Sequence, residues 1–178
     1  KIALGVYATG TGNGGKEIGG LQHLVATTPT SGIVGGINRG TASNAFWRNY
    51  ARDSSSASPS VTASATTVQS EFNIVWSNIV RGRDRPDLIV LHNTWWNYYL
   101  GSLQNIQRIT NDNMGQAGFM SLKYMEADVV LDGGVGGNCP TDTAYFLNTD
   151  YIHYRPHSDG NMVQIGDDRV NTNQDAIV

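Results

Sequence analysis

Val61, Ala65, Val68, Phe72, Val75, Trp76 and Ile79 recur largely at intervals of three and four. That spacing stacks apolar side chains on one side of an α-helix, so it predicts a helix over 61–81, about 20 residues long, with one stripe to bury. Ser60 or Thr62 is placed to cap its start, and Gly82 to end it in a left-handed conformation. A helix with one apolar stripe needs a surface to cover, and the residues that follow supply one. Pro86 stops the helix, and Leu88–Leu91 is a continuous apolar run, as in a strand buried on both faces. Asn93 or Thr94 then caps a second helix carrying Trp96, Tyr99, Leu103 and Ile106 on one side. Strand, turn and helix make a βα unit.

Ala127–Leu131 repeats the buried-strand pattern, the glycines of 133–137 and Pro140 interrupt it, and "TAYFLNTDYIHYRP" resumes with aromatic-rich strand. The last residues, "NMVQIGDDRVNTNQDAIV", read as one or two further strands. The class predicted is α+β. Residues 1–60 are different. Glycines and breakers ("GTGNGG", "TTPTSG", "RDSSSASPS") separate short apolar islands at Leu21–Val25, Ile33–Ile37 and Phe46–Trp47. Such chain is expected to be extended and to pack on something else rather than build its own core. Lys1 opens in what reads as mid-strand and "NQDAIV" closes on an apolar run, so the chain reads as a piece of a longer polypeptide.

Charged residues make up 15% of the 178, against roughly 25% in ordinary soluble domains. A surface so poor in charge has little colloidal repulsion and suits a protein that sits against copies of itself. The formal net charge of −3 gives no basic field to draw in nucleic acid. No run approaches the ~20 apolar residues of a membrane-spanning helix.

Chemical motifs are few. Gly10, Gly15 and Lys16 reproduce the G-x-x-x-x-G-K part of a phosphate-binding loop, with "IALGVYA" ahead of it as a candidate strand. Glu17, however, stands where Ser or Thr would hold magnesium, and Gly19 and Gly20 weaken the helix that should follow. A flexible turn is the better reading. His153 and His157 lack a second Cys or a carboxylate at zinc-ligand spacing, and Pro156 keeps them out of one regular helix. On a strand they would stand about 13 Å apart, too far to chelate one ion. Cys139 has no evident base, and Glu126, Asp132, Asp142 and Asp150 are scattered carboxylates. His92, between buried strand and helix, holds a position at which α/β proteins often place chemistry, though a hydrogen-bonded structural role fits it better. Trp95, Trp96, Tyr98 and Tyr99 form a cluster dense enough for a stacking platform, part of which has to face the core. No enzyme is expected from these residues.

Taken in order, "IGGLQHLV", "GIVGGINRGTASNAFWRN", the long helix, "RPDLIVLHNTWWNYYLGSLQNIQRI", "GFMSLKYMEADVVLDGG" and "TAYFLNTDYIHYRPH…NQDAIV" resemble the major capsid (coat) proteins of tailed bacteriophages. The likeness runs over nearly the whole chain and lies in the order of its pieces, not in any catalytic motif. It implies the tailed-phage capsid fold: an extended loop region over 1–60, a peripheral domain over 61–86 and 140–178 (spine helix 61–81 and a sheet), and an axial domain over 87–139. It also implies a structural role without cofactor or metal. Copies would join as pentamers and hexamers in the full-length protein and close an icosahedral shell around phage DNA, which they would touch only non-specifically. Scaffolding or decoration proteins are further implied partners, a membrane is not, and the site is the virion, built in the bacterial host cytoplasm. Subunit-interface candidates are Arg39, Trp47, Arg48 and Asn49 in the extended region and Gly133, Gly134, Gly136 and Gly137 in the axial lobe. A nanocompartment shell of the encapsulin type would use the same fold without a virus, and a nucleotide-binding enzyme built on Gly10–Lys16 is the remaining alternative.

Overall fold

The computed structural model describes residues 5–56, 61–103 and 121–153. At its centre lies a four-stranded sheet of β3 (Leu88–Leu91), β4 (Ser121–Tyr124), β5 (Ala127–Leu131) and β6 (Ala144–Leu147), in the order β4-β5-β3-β6. β3 and β5 run parallel, with Ile89 opposite Val129, and β4 and β6 are added antiparallel at the two edges. The continuous apolar run of β3 is explained by its central position. Ile89 and Leu91 are fully buried on one face, and Val90 is buried on the other.

Two helices cover the first face: α1 (Val68–Ile79) and α2 (Asn93–Ser102). Phe72 is the hub between them. Its ring stacks on Tyr99 at 5.5 Å and on Trp95 at 6.1 Å, and meets Tyr124 and Phe146 edge-on at 5.4 and 5.2 Å. Rings at these separations attract beyond the simple burial of area. The second face of the sheet carries Val90, Tyr145 and Leu147, joined by Cys139, and is covered by Tyr7 and Leu21 from the N-terminal part of the chain.

The first helix is shorter than its stripe predicts. Residues 61–67 stay out of it because their hydroxyls capture local backbone instead. Thr67 Oγ1 accepts from the Ser64 N–H at 3.0 Å and donates to the Thr62 carbonyl at 2.9 Å, while the Val61 N–H is drawn back to the Ser54 carbonyl at 2.8 Å. Thr62 therefore does not cap the helix, and Ser60 lies outside the described residues. At the other end Val80 is already extended, and Gly82 (φ +65°) serves a tight turn between Arg81 and Asp84 rather than a helix cap. α2 is capped by His92, not by Asn93 or Thr94. Trp96 and Tyr99 are buried and Leu103 packs on the core as its spacing requires; Ile106 is outside the described residues, as are the strands expected after residue 153.

The expected peripheral and axial segments are built into one another here. β6, from the segment 140–178, pairs with β3, from the segment 87–139. α1, from 61–86, shares one apolar cluster with α2, β3, β4 and β5.

Candidate self-association surface

The glycine-rich first third falls into two parts with different supports. Between Gly5 and Leu24 it is anchored on the sheet through Tyr7 and Leu21. Gly20 permits this, since a Cβ there would collide with the Gly5 and Val6 carbonyls. From Ala26 to Tyr50 it forms an arm held together by hydrogen bonds rather than by an apolar core. β1 (Ile33–Val34) and β2 (Ile37–Asn38) pair as a two-stranded hairpin whose turn, Gly35 and Gly36, sits at φ +60° and +81°, conformations that favour glycine. A 3-10 turn over Ala42–Trp47 folds back on that hairpin.

Four of the eight residues expected at a subunit interface, Arg39, Trp47, Arg48 and Asn49, are staples of this arm. Arg39 is 4% exposed. Its guanidinium donates to Asn49 Oδ1 at 3.3 Å and to the Leu24 carbonyl, while its Nε is buried without a partner among the described residues. Burial alone pushes its pKa below the ordinary arginine value. Arg48 Nε donates to the Arg39 carbonyl at 2.8 Å, and Asn49 Nδ2 closes the base of the arm on the Ala26 carbonyl at 2.9 Å. Trp47 does both jobs: its indole N–H donates to the Val34 carbonyl at 3.0 Å, yet 42% of the residue remains exposed. Beside it Phe46, with ring centroids 6.4 Å apart, is 66% exposed, and Ile33 on the hairpin is 59% exposed. The arm thus turns Arg39, Arg48 and Asn49 inward and several large apolar side chains outward.

Two of the four candidate glycines also have internal reasons. A Cβ on Gly133 would collide with Asn93 at the start of α2, and one on Gly137 would strike the Gly133 backbone. Gly134 and Gly136, at φ +79° and +90°, make the bends between them and leave Val135 fully in solvent at the tip.

One contact was legible in the sequence but not read from it. Glu71 lies inside the apolar stripe of α1, between Val68 and Phe72, and a carboxylate in that position requires a partner. Arg52, just beyond the arm, supplies it through a two-pronged pair with 9% and 4% of the side chains exposed. The bond to Glu71 raises the Arg52 pKa against the opposing effect of burial. This clamp roots the arm on α1. Next to it a groove of about 900 Å³ runs between residues 49–55, α1 and the start of β6, with Tyr50, Val75, Trp95 and Tyr98 among its walls.

Several of the chemical candidates are engaged within the chain. Gly12–Gly15 is no α-helix, because Asn13 and Gly14 are left-handed (φ +50° and +66°). Glu17 Oε2 accepts from the Gly12 N–H at 3.0 Å, so the chain's own carboxylate occupies an amide that a phosphate would need. Lys16 stands in solvent, and Gly5 and Val6 are helical, where a phosphate-loop reading wants strand. Cys139 is buried, and burial, with the Asp132 charge behind it, pushes its thiol up to about 12. It therefore stays protonated and non-nucleophilic at neutral pH. The Tyr7 hydroxyl is also driven upward, by burial first and then by its hydrogen bond to Asp132. Among the described residues no cluster of His, Cys, Asp and Glu could hold a metal ion, and no helix is long and apolar enough to cross a membrane. His153 is exposed; His157 lies outside the described residues.

Comparison of the chain with known protein families, curated proteins and solved structures returns no match.

Proposed function

We propose that this chain is a structural subunit that assembles with copies of itself, as the coat protein of a tailed phage does when it closes an icosahedral head around DNA. The observation that carries the reading is the arm over 26–50. It folds on hydrogen bonds to Arg39, Arg48 and Asn49, and holds Ile33, Phe46 and Trp47 outward, largely uncovered by the described residues. Burying one such side chain against a neighbour contributes about 1.5–3 kcal/mol, and a surface with 15% charged residues offers little repulsion against that contact. The sequence resemblance supports the same reading. The nucleotide-binding alternative is disfavoured, because the Gly12 N–H already donates to Glu17. In the shell, DNA is touched only non-specifically and the lattice contacts are between copies.

Electron microscopy of the full-length gene product tests the proposal. Closed shells of uniform diameter are expected. A product that stays monomeric at high concentration, with scaffolding or decoration proteins present, would falsify the coat-protein reading.

A further inference from the structure

β6 is an edge strand that opens onto the groove. Its strand partner among the described residues is β3, with Val90 opposite Tyr145 and Leu88 opposite Leu147. In an antiparallel ladder the bonds to one neighbour come from alternate residues. The His92 N–H donates to the Thr143 carbonyl at 3.1 Å and the Asp87 N–H to the Leu147 carbonyl at 3.0 Å, so Thr143, Tyr145 and Leu147 turn their backbone towards β3. Ala144 and Phe146 turn theirs the other way. The side chains agree, since Tyr145 and Leu147 pack on the second face of the sheet, and Ala144 and Phe146 on the first. Consecutive residues from Asp142 to Phe146 nonetheless line one groove, as happens where a space runs along the edge of a strand.

An open edge is a template for another strand, and natural proteins protect such edges with charge or proline. Ala144–Leu147 has neither. The edge lies instead in a slot, with Val75, Trp95 and Tyr98 on its helix side and Tyr50 among its other walls. The charges of the slot are uneven. Arg52 is engaged by Glu71, which leaves the exposed carboxylates of Asp53 and Asp142, neither of them in an ion pair among the described residues.

We propose that this edge binds an extended segment of another protein by strand addition. The segment is apolar at alternate positions and carries lysine or arginine between them. Its apolar residues stand opposite Ala144 and Phe146, exchange backbone hydrogen bonds with them, and put their side chains on the same face of the sheet. Its cations answer Asp53 and Asp142. The chain's own segments fit less well. β1 and β2 are two residues long each and already pair with each other. The residues after 153 carry Asp159, Asp167, Asp168 and Asp175 against Arg155 and Arg169, the wrong sign for this slot. The outward residues of the arm, Ile33, Phe46 and Trp47, are not among its walls.

Calorimetric titration of the whole chain with the acetylated, amidated peptide Lys-Val-Lys-Val-Lys-Val-Lys tests this, and saturable binding is expected. Methylating the valine nitrogens removes the N–H groups that face β6 and should weaken binding about tenfold or more. Methylating the lysine nitrogens alters the opposite edge and should cost far less. Glutamate in place of lysine should also weaken binding, and less so with the double variant Asp53→Asn, Asp142→Asn. In Ala144→Pro the outward N–H is lost without breaking a bond to β3, and the lysine peptide should bind several-fold less tightly. No binding of that peptide overturns the proposal, as does equal weakening by the two methylation patterns. Binding that fades as protein concentration rises, with copies filling the slot themselves, overturns it too. If Ala144→Pro does not fold, the two methylated peptides on the unaltered chain decide.

Discussion

Arg52 and Glu71 meet in a two-pronged ion pair, Nε to Oε2 at 2.6 Å and Nη2 to Oε1 at 2.9 Å. It joins the root of the arm to the middle of α1, and both side chains are almost wholly out of water. Removing one partner strands a buried charge. Arg52→Ala or Glu71→Gln should therefore lower unfolding stability by about 3–5 kcal/mol. Replacing both by apolar residues of similar volume, as in Arg52→Met with Glu71→Leu, should restore most of the loss. Denaturant titration of the three variants and the parent checks this. A single substitution costing less than about 1 kcal/mol would show the pair to be solvated, as surface pairs are.

Asp87 gives a second, pH-dependent test. Burial acts to raise its pKa, but the hydroxyl and amide of Thr149, with the amides of Asp87 and Leu88, outweigh that and hold it below the ordinary carboxylate value. The Thr149 N–H lies 2.7 Å from Oδ1, pinning the turn after β6 to the strand entry at Asp87. A carboxylate with a depressed folded-state value contributes stability that is present above its unfolded value of about 3.9 and disappears as pH falls through the folded one. Asp87→Asn should thus be less stable than the parent at neutral pH, by about 1 kcal/mol or less because the site is open to solvent. The gap should narrow on acidification below about pH 4. A gap that stays constant from neutral pH into the acid range would contradict the assignment.

The thiol of Cys139 supplies a chemical test. Buried on the second face of the sheet and pushed up to about 12, it should resist a thiol-specific reagent in the folded protein at about pH 8 and react at once when denatured. Rapid labelling of the native protein would mean that the cover provided by Tyr7 and Leu21 opens readily.

These relationships differ in how far the sequence exposes them. Leu88–Leu91, Ala127–Leu131 and the stripe from Val68 to Ile79 are set by local pattern, and the structure places an element on each. The start of α1 is obscured because the apolar spacing continues back to Val61, while Thr62, Ser64 and Thr67 divert the backbone. Seven residues of apparent helix become a knot of hydroxyls. The capping role of His92 is hidden because histidine caps far less often than the Asn and Thr that follow it. The pairing of β6 with β3 links residues more than fifty positions apart, and no local pattern encodes such a choice. Arg39 shows the same limit on a smaller scale. Its burial depends on the Leu24 carbonyl and on Asn49, 15 and 10 residues away in sequence, so no local pattern marks this guanidinium as the buried centre of the arm. Glu71 was readable, since a lone carboxylate in an apolar stripe signals a partner.

The central claim is that the outward face of the arm belongs against a second copy. A photo-crosslinking phenylalanine analogue at Phe46, which is 66% exposed and lies beside Trp47, tests it most directly in the full-length assembling protein. Irradiation should yield covalent dimers and higher ladders that join position 46 to another molecule, and these should vanish on dilution to monomer. Crosslinks confined to the same chain, or a wholly unreacted probe in assembled particles, would contradict the account.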